Sequence, residues 1–275
     1  MIARIFRDHR LLLVPATIVF ATLACSCMWG VVRNANTGAP VAGASVTFWD
    51  ENGNERTTMT DANGIYYFDP STAAPAALGD VTFFVTGPNT EARREKRPVD
   101  YAENPGASLS NLSSFWEVQT FDIAGQPGSY HDVTQGYTIV FPDGWFIEPQ
   151  PDMDETPLDS AVYAAPLTFA PDDLAACDVE SSMVPPGGIP DEWWRDEPED
   201  VTVVSRGTAQ IAGRTATKVV LELNLEDVFT MKAVMYVFER DGQGWVIVCM
   251  ADSDTFQSKT RMFDGVAKSF KFDTQ

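Results

Sequence analysis

The chain has 275 residues, of which 19 are lysine or arginine and 39 are aspartate or glutamate, so its formal net charge is -20. Such a charge argues against nucleic acid as a partner, because binding to phosphates needs the opposite sign. The length suffices for two domains of ordinary size, and an apolar fraction of 44% is typical of globular proteins.

The first 24 residues have the pattern of a secretory signal peptide. Arginines precede an apolar run over residues 11–24, which is short for a permanent membrane helix. The run leads into Ala24-Cys25-Ser26-Cys27, which resembles a bacterial lipobox, where a cysteine after a small residue is lipidated. We expect a lipid anchor at Cys25 or Cys27 and, since no aspartate follows, an outer-membrane lipoprotein. The alternative is ordinary cleavage to a soluble periplasmic or secreted product.

Short β-branched and aromatic runs separated by turn sequences over residues 29–123 predict a small β-sandwich. Two motifs stand out, Thr37-Gly38-x-Pro40-Val41-x-Gly43-Ala44-x-Val46 and Thr60-Asp61-Ala62-Asn63-Gly64-Ile65-Tyr66. Both resemble the carboxypeptidase regulatory-like (transthyretin-like) family, which implies an all-β, prealbumin-like sandwich used as a spacer or adhesion module. In the second motif we expect a positive φ at Gly64 and bonds from Asp61 and Asn63 to the backbone of the turn.

Residues 124–128, with Gly125-Gln126-Pro127-Gly128, are the predicted linker to a second domain over residues 129–275. There, Tyr137–Phe141 alternates as a half-buried strand, and Pro142-Asp143-Gly144 predicts a turn before a return strand at Trp145. Runs over 231–239 and 245–250 flank Asp241-Gly242 and predict an antiparallel hairpin. The next apolar residues recur with helical period and predict a helix that begins near Asp252, Ser253 or Asp254 and buries Phe256, Phe263, Val266, Ala267 and Phe270.

These segments, with a strand at Gln210–Ala216 and the terminal Ser269–Phe272, resemble the PsbP-like or DcrB-like family. The resemblance covers about residues 129–272 and implies an α+β domain, an antiparallel sheet flanked by helices. It also implies a non-catalytic binding, docking or assembly module, with no cofactor. The partner is then an envelope protein or the cell wall, besides the membrane that holds the anchor.

Acidic residues recur between Glu148 and Asp200, with Arg195 as the only basic residue. We interpret this stretch as a solvated, proline-rich surface excursion. The alternative is a Ca²⁺ site at 152–155 or Asp191-Glu192, although no EF-hand spacing is present and we expect no metal. A basic cluster, Arg93, Arg94, Lys96 and Arg97, is interpreted as a charged loop, with contacts to lipid headgroups or to the acidic second domain as alternatives.

Candidate catalytic groups are few. His131 is the only histidine after the signal peptide, which leaves too few histidines for a zinc site of two or three. Ser129-Tyr130-His131-Asp132 holds the residue types of a triad, but neighbours in sequence seldom point at one atom. A hydrolase remains the alternative class, and it would need a perturbed carboxylate pair among Asp172, Asp173 and Asp178.

Two further features bear on binding and stability. Cys177 and Cys249 would form a disulfide in an oxidising compartment; a thiol nucleophile or two separate buried thiols are the alternatives. Trp193-Trp194 lies in a polar stretch and predicts either a site that stacks on sugars, as in a carbohydrate- or cell-wall-binding protein, or two side chains folded back onto the domain.

Overall fold

The computed structural model describes residues 28–49, 55–68, 79–99, 117–149, 158–166, 174–183, 201–225 and 229–274. These residues are mostly β, with seventeen strands and one helix. They belong to two compact units, the first comprising Met1–Pro88 and Lys96–Ile123 and the second Asn89–Glu95 and Ala124–Gln275. The sequence places Asn89–Glu95 in the sandwich, whereas the structure assigns this segment to the second unit.

The first unit contains two sheets around an apolar core. Its strands are β1 (Met28–Asn34), β2 (Ser45–Trp49), β3 (Glu55–Met59), β4 (Ile65–Phe68), β5 (Gly79–Thr86), the end of β6 (Ala92–Val99) and β7 (Glu117–Ile123). One sheet has the order β4-β1-β7, and the other has the order β6-β5-β2-β3. Rings from the two sheets meet in the core, with Phe48 4.8 Å from Phe68 and Phe83 5.2 Å from Phe121.

The turn between β3 and β4 follows the sequence motif. Gly64 has φ 71°, and a Cβ there would lie 2.6 Å from the carbonyl oxygen of Val32, so only glycine fits. The Asp61 carboxylate accepts bonds from the backbone N–H groups of Asn63 and Ile65, each at 2.8 Å. The predicted roles of Gly64 and Asp61 are confirmed, while Asn63 takes part through its backbone N–H.

The second unit contains one small and one large sheet. Its strands are β8 (Ser129–Asp132), β9 (Tyr137–Val140), β10 (Trp145–Pro149), β11 (Leu158–Pro166), β12 (Ala175–Met183), β13 (Val201–Ile211), β14 (Arg214–Leu225), β15 (Phe229–Arg240), β16 (Gln243–Asp252) and β17 (Lys271–Phe272). The large sheet has the order β10-β11-β12-β16-β15-β14-β13. In the small sheet β9 lies between β8 and β17, and β8 pairs in parallel with residues 92–94 of β6.

The predicted helix and hairpin are confirmed. The helix α1 (Ser253–Ser269) packs against β15 and β16 and buries Phe256, Phe263, Val266 and Ala267. Asp252 is its N-cap, but the side chain makes no cap bond and instead accepts the backbone N–H of Leu174 at 3.0 Å. β15 and β16 are joined at Asp241 (φ 56°) and Gly242 (φ 83°), the positive values that a tight hairpin turn needs.

Two predicted strand arrangements are wrong. The strand that begins at Trp145 does not return along β9, because both edges of β9 already pair with β8 and β17. It pairs with β11 in the large sheet instead. The segment Gln210–Ala216 is not one strand, since Ala212 (φ 49°) and Gly213 (φ 74°) turn the chain between β13 and β14. Ala-Gly lacks the asparagine or aspartate that usually marks such a turn.

The charged stretches are also more ordered than the sequence predicts. The acidic stretch contains β11 and β12, two inner strands of the large sheet, so its interpretation as a solvated excursion is wrong there. Buried Cys177 and Val179 alternate with Asp178 and Glu180 along β12, so its acidic and apolar residues face opposite sides. The basic cluster is not a loop either, because it lies within β6.

Among the described residues, no helix has the length and apolar character needed to cross a membrane. The predicted anchor cysteines, Cys25 and Cys27, lie outside the described residues.

Candidate functional site

A cleft of about 400 Å³ lies in the second unit where three short segments meet. They are the β8–β9 turn (133–136), the β15–β16 turn with Trp245 (240–245), and the stretch after α1 (272–274). We call this the C-terminal cleft. Of the binding and catalytic candidates singled out from the sequence, none that the structure describes lines it.

The base of the C-terminal cleft is aromatic. Trp245 is only 1% exposed, and its ring lies 5.3 Å from Phe272, 5.0 Å from Tyr137 and 5.4 Å from Phe270. Its indole Nε1 is buried and has no hydrogen-bond partner within the part of the chain that the structure describes. A buried N–H without an acceptor costs about 1–3 kcal/mol, so this donor is an uncommon feature of a cleft wall.

Arg240 supplies the positive charge of the cleft. Its guanidinium carbon lies 4.1 Å above the Phe272 ring, and its Nε donates to Asp241 at 3.0 Å. Its two terminal nitrogens have no hydrogen-bond or ion-pair partner among the described residues. The side chain is thus held in place by one ring and one carboxylate, with the end of its fork left for another group.

The two carboxylates that line the cleft are already paired. Asp241 accepts from Arg240, and Asp273 lies 3.0 Å from His131 Nε2. The amides are paired too, since Gln243 Nε2 donates to Gln135 at 3.2 Å and to Ser181 at 3.1 Å. The side-chain donors of the cleft that have no partner among the described residues are therefore Trp245 Nε1 and the terminal nitrogens of Arg240.

A buried ion pair fixes the β8–β9 turn. Asp132 is fully buried and accepts from Arg94 Nη1 at 2.9 Å, from the Tyr130 hydroxyl at 3.2 Å and from the backbone N–H of Gln135 at 2.9 Å. Burial acts to lower the pKa of Arg94, but the charge and hydrogen bond of Asp132, together with the nearby hydroxyls of Tyr130 and Tyr137, outweigh it and leave that pKa raised. For Tyr130, burial raises the pKa of the hydroxyl, which therefore stays protonated and remains a donor. This pair sets the position of one wall of the cleft.

The Ser129, His131 and Asp132 side chains do not form a relay. The Ser129 hydroxyl donates to the Gln126 carbonyl at 2.9 Å, and Asp132 is bound to Arg94. His131 points elsewhere, with Nε2 3.0 Å from Asp273 and Nδ1 4.0 Å from Glu91. Alternation along β8 places Asp132 on the face opposite to Ser129 and His131, so its carboxylate cannot orient the imidazole of His131.

The remaining members of the basic cluster also have specific contacts. Arg93 pairs with Glu95 at 3.2 Å, and Arg97 lies 4.4 Å above the ring of Phe121 in the first unit.

Cys177 and Cys249 lie directly opposite each other on β12 and β16, and a disulfide joins them across 72 positions of sequence. In the chain-entropy model a loop of this length stabilises a fold by about 4 kcal/mol.

Asp178 and Glu180 form a second group of titratable side chains on β12. Burial raises the pKa of Asp178 to about 7, and the charge of Glu180 adds to the rise. Burial also raises the pKa of Glu180. Asp172 and Asp173, predicted with Asp178, lie outside the described residues. So do Trp193 and Trp194, and both alternative Ca²⁺ stretches. The described residues contain no group of three or more metal-binding side chains.

The helix α1 is held to the large sheet by a polar cluster. Asp264 accepts from Lys218 Nζ at 2.6 Å and from the Tyr236 hydroxyl. Burial alone would raise the pKa of Asp264, but these two bonds and the charge of Lys218 outweigh it and leave that pKa lowered. Burial and Asp264 raise the pKa of Tyr236, so the cluster acts as a donor–acceptor clamp.

No family model and no curated protein matches the sequence. Among solved structures, the cyanobacterial PsbP of Synechocystis sp. PCC 6803 is 18% identical, covers 52% of this chain and 91% of its own, and has a TM-score of 0.41. LpqN, involved in cell envelope biogenesis of Mycobacterium tuberculosis, is 13% identical, with coverages of 55% and 87% and a TM-score of 0.32. The major pilin SpaD of Corynebacterium diphtheriae is 11% identical, with coverages of 82% and 56% and a TM-score of 0.26.

The second-domain resemblance names PsbP, and a PsbP is among these structures. With identities of 18% or less and TM-scores below 0.5, these similarities support no statement about what this chain does. The carboxypeptidase regulatory-like resemblance and the lipobox stay predictions.

Proposed function

We propose that this chain is an exported envelope lipoprotein that docks, without catalysis, onto a partner through the C-terminal cleft of its second unit. The leader and the cysteines at 25 and 27 support the anchor, and the PsbP-like sequence pattern supports the docking role. The chemistry of the partner is inferred from the residues that line the cleft.

The observation that carries the proposal is the set of hydrogen-bond donors in the cleft that have no acceptor among the described residues. Both lining carboxylates are paired within the chain, while the indole N–H of Trp245 and the terminal nitrogens of Arg240 have no partner among the described residues. A complementary partner segment therefore presents acceptor oxygens, either a carboxylate or backbone carbonyls, to Arg240.

The test uses a photo-crosslinking residue at Thr274, which lines the cleft and is exposed. It is irradiated in native membranes in three backgrounds: unchanged, Arg240→Gln and Arg214→Gln. Arg214 is the matched control, because it is exposed and follows a tight turn, Ala212-Gly213, like that beside Arg240. We expect a discrete protein adduct that persists with Arg214→Gln and is lost with Arg240→Gln. Equal adducts in all three backgrounds would contradict the proposal.

The anchor is tested separately by mass spectrometry of the N-terminus of the protein isolated from its native membrane. An acylated cysteine at position 25 or 27 supports the lipoprotein, and an unmodified N-terminus means a soluble product.

One observation favours a catalytic alternative. A carboxyl group with a pKa of about 7 beside a second carboxylate, as at Asp178 and Glu180, is suited to general acid catalysis. Hydrolysis of chromogenic glycosides that is abolished by Asp178→Asn and kept by Glu239→Gln, an exposed acid on the same sheet, would establish this alternative over docking.

A further inference from the structure

The outward face of the three-stranded sheet in the first unit is apolar. β1 and β4 pair in a register that sets Trp29 opposite Tyr67 and Val31 opposite Ile65. Side chains opposite each other lie on one face, and their neighbours in sequence lie on the other. Val32 and Tyr66 belong to the buried core, so Trp29, Val31, Ile65 and Tyr67 face outward. We call these four residues the β1–β4 face.

This face is accessible. Ile65 is 39% exposed and Tyr67 is 47% exposed, while Trp29 and Val31 are half-buried. The outward side of a sheet that covers one core normally alternates to polar residues. An apolar patch there marks a surface that contacts another protein, a ligand or a membrane. Arg33 continues the same face and is exposed beside Asp122 at 3.4 Å.

The position of this face in the chain indicates what covers it. β1 begins at Met28, directly after Cys27, so Trp29 is two residues from one predicted acylation site and four from the other. An extended chain spans at most ~3.6 Å per residue, which places Trp29 within roughly 15 Å of the lipid-bearing residue. Tryptophan and tyrosine are the side chains that favour the headgroup region, with apolar rings and polar edges.

We propose that the β1–β4 face lies on the bilayer surface, with Trp29 and Tyr67 in the headgroup region and Arg33 at its edge. The inference rests on the lipid anchor in the proposed function. A lipid anchor tethers the chain at one point and does not fix the orientation of the first unit, which a second membrane contact would fix. The face provides that second contact and orients the first unit against the membrane.

The test places a nitroxide label at position 67 by Tyr67→Cys, in the acylated full protein reconstituted into vesicles of phosphatidylethanolamine and phosphatidylglycerol. Whichever of Cys25 and Cys27 is not acylated is replaced by serine, and Cys177 and Cys249 are already joined. The matched control is Met59→Cys. Met59 is apolar and 58% exposed, and it lies opposite Ser45 on the outward face of the other sheet of this unit.

We expect the label at 67 to collide several-fold more often with oxygen, relative to a water-soluble nickel complex, than the label at 59. A label at Ile65 should behave as at 67, which guards against a local effect of losing the tyrosine. Equal collision ratios at 67 and 59 in acylated protein overturn the inference and leave the anchor intact. Dipolar coupling between labels at 67 would show a second copy on this face and overturn it as well. An N-terminus without acylation overturns the anchor and this inference together.

Discussion

Asp132 on β8 and Asp178 on β12 are two carboxyl groups that the fold removes from water in different surroundings. Asp132 has a cation, a hydroxyl and a backbone N–H around it. No basic residue within the described part of the chain pairs with Asp178, whose charged neighbour is Glu180. Asp132 therefore stays bound to Arg94, whereas Asp178 takes up a proton near neutral pH. The ion pair of Asp132 holds the β8–β9 turn in a fixed position. The unpaired carboxyl of Asp178 makes the stability of the fold depend on pH.

The largest effect on stability is expected for Asp132→Asn, which tests the role of the ion pair. It leaves the charge of Arg94 buried without a partner, and we expect the free energy of unfolding to fall by about 3–5 kcal/mol. Urea unfolding monitored by tryptophan fluorescence measures this. Asp143→Asn, an exposed aspartate in the turn after β9, is the control and should change stability little.

The double change Arg94→Met with Asp132→Leu tests the same ion pair by removing both of its charges. Two apolar side chains of similar volume leave no unpaired charge, so we expect most of the lost stability to return. A double variant as unstable as Asp132→Asn would show that the bonds to Tyr130 and Gln135, rather than the charge pair, hold the turn.

Asp178→Asn should change the free energy of unfolding in the opposite direction, by stabilising the protein. The pKa of Asp178 is raised from 3.8 to about 7, so the folded state binds the extra proton between these values and loses stability as the pH rises through them. A shift of about three units corresponds to roughly 4 kcal/mol, and partial exposure reduces this to about 2 kcal/mol. We expect Asp178→Asn to raise the melting temperature at pH 8 and to change it little at pH 4. Glu239→Gln is the control, and a loss of stability at pH 8 with Asp178→Asn would refute the interpretation.

The smallest effect is expected at Asp264, which is paired like Asp132 but remains partly exposed. Because its pKa is lowered, its contribution is present above the ordinary value of 3.8 and is lost as the pH falls through the lower folded value. We expect Asp264→Asn to cost about 1 kcal/mol at pH 7 and less at pH 3. Thermal unfolding at both pH values measures this. Lys218→Met should cost less in that background than in the unchanged protein, and additive losses would count against a direct pair.

Local signals in the sequence sufficed for elements that depend on short-range chemistry. Asp61 and Gly64 make their turn through contacts within a few residues, and α1 shows its buried face in the spacing of Phe256, Phe263 and Val266. The hairpin at Asp241-Gly242 is found for the same reason. Pairing between distant strands left no such signal, so the partners of β9 and the placement of β12 inside the large sheet were missed.

The C-terminal cleft depends on distant contacts throughout. Gln135 meets Gln243 across 108 positions of sequence, and His131 meets Asp273 across 142. Arg240 and Trp245 read in the sequence as members of a hairpin. The burial of Trp245 Nε1 away from any acceptor in the described part of the chain has no sequence signature at all.

By itself the sequence determined the export pattern, the excess of negative charge, the turn at Gly64 and the amphipathic period of α1, because each depends on composition or on neighbours along the chain. Only the tertiary structure decided that Arg94 is a buried partner of Asp132 and not part of a charged loop, that Asp178 has no cation beside it among the described residues, and that Trp245 and Arg240 share one cleft. These properties depend on which side chains meet in space and on how much water remains around them, and a charge or an N–H group is costly only once that water is gone.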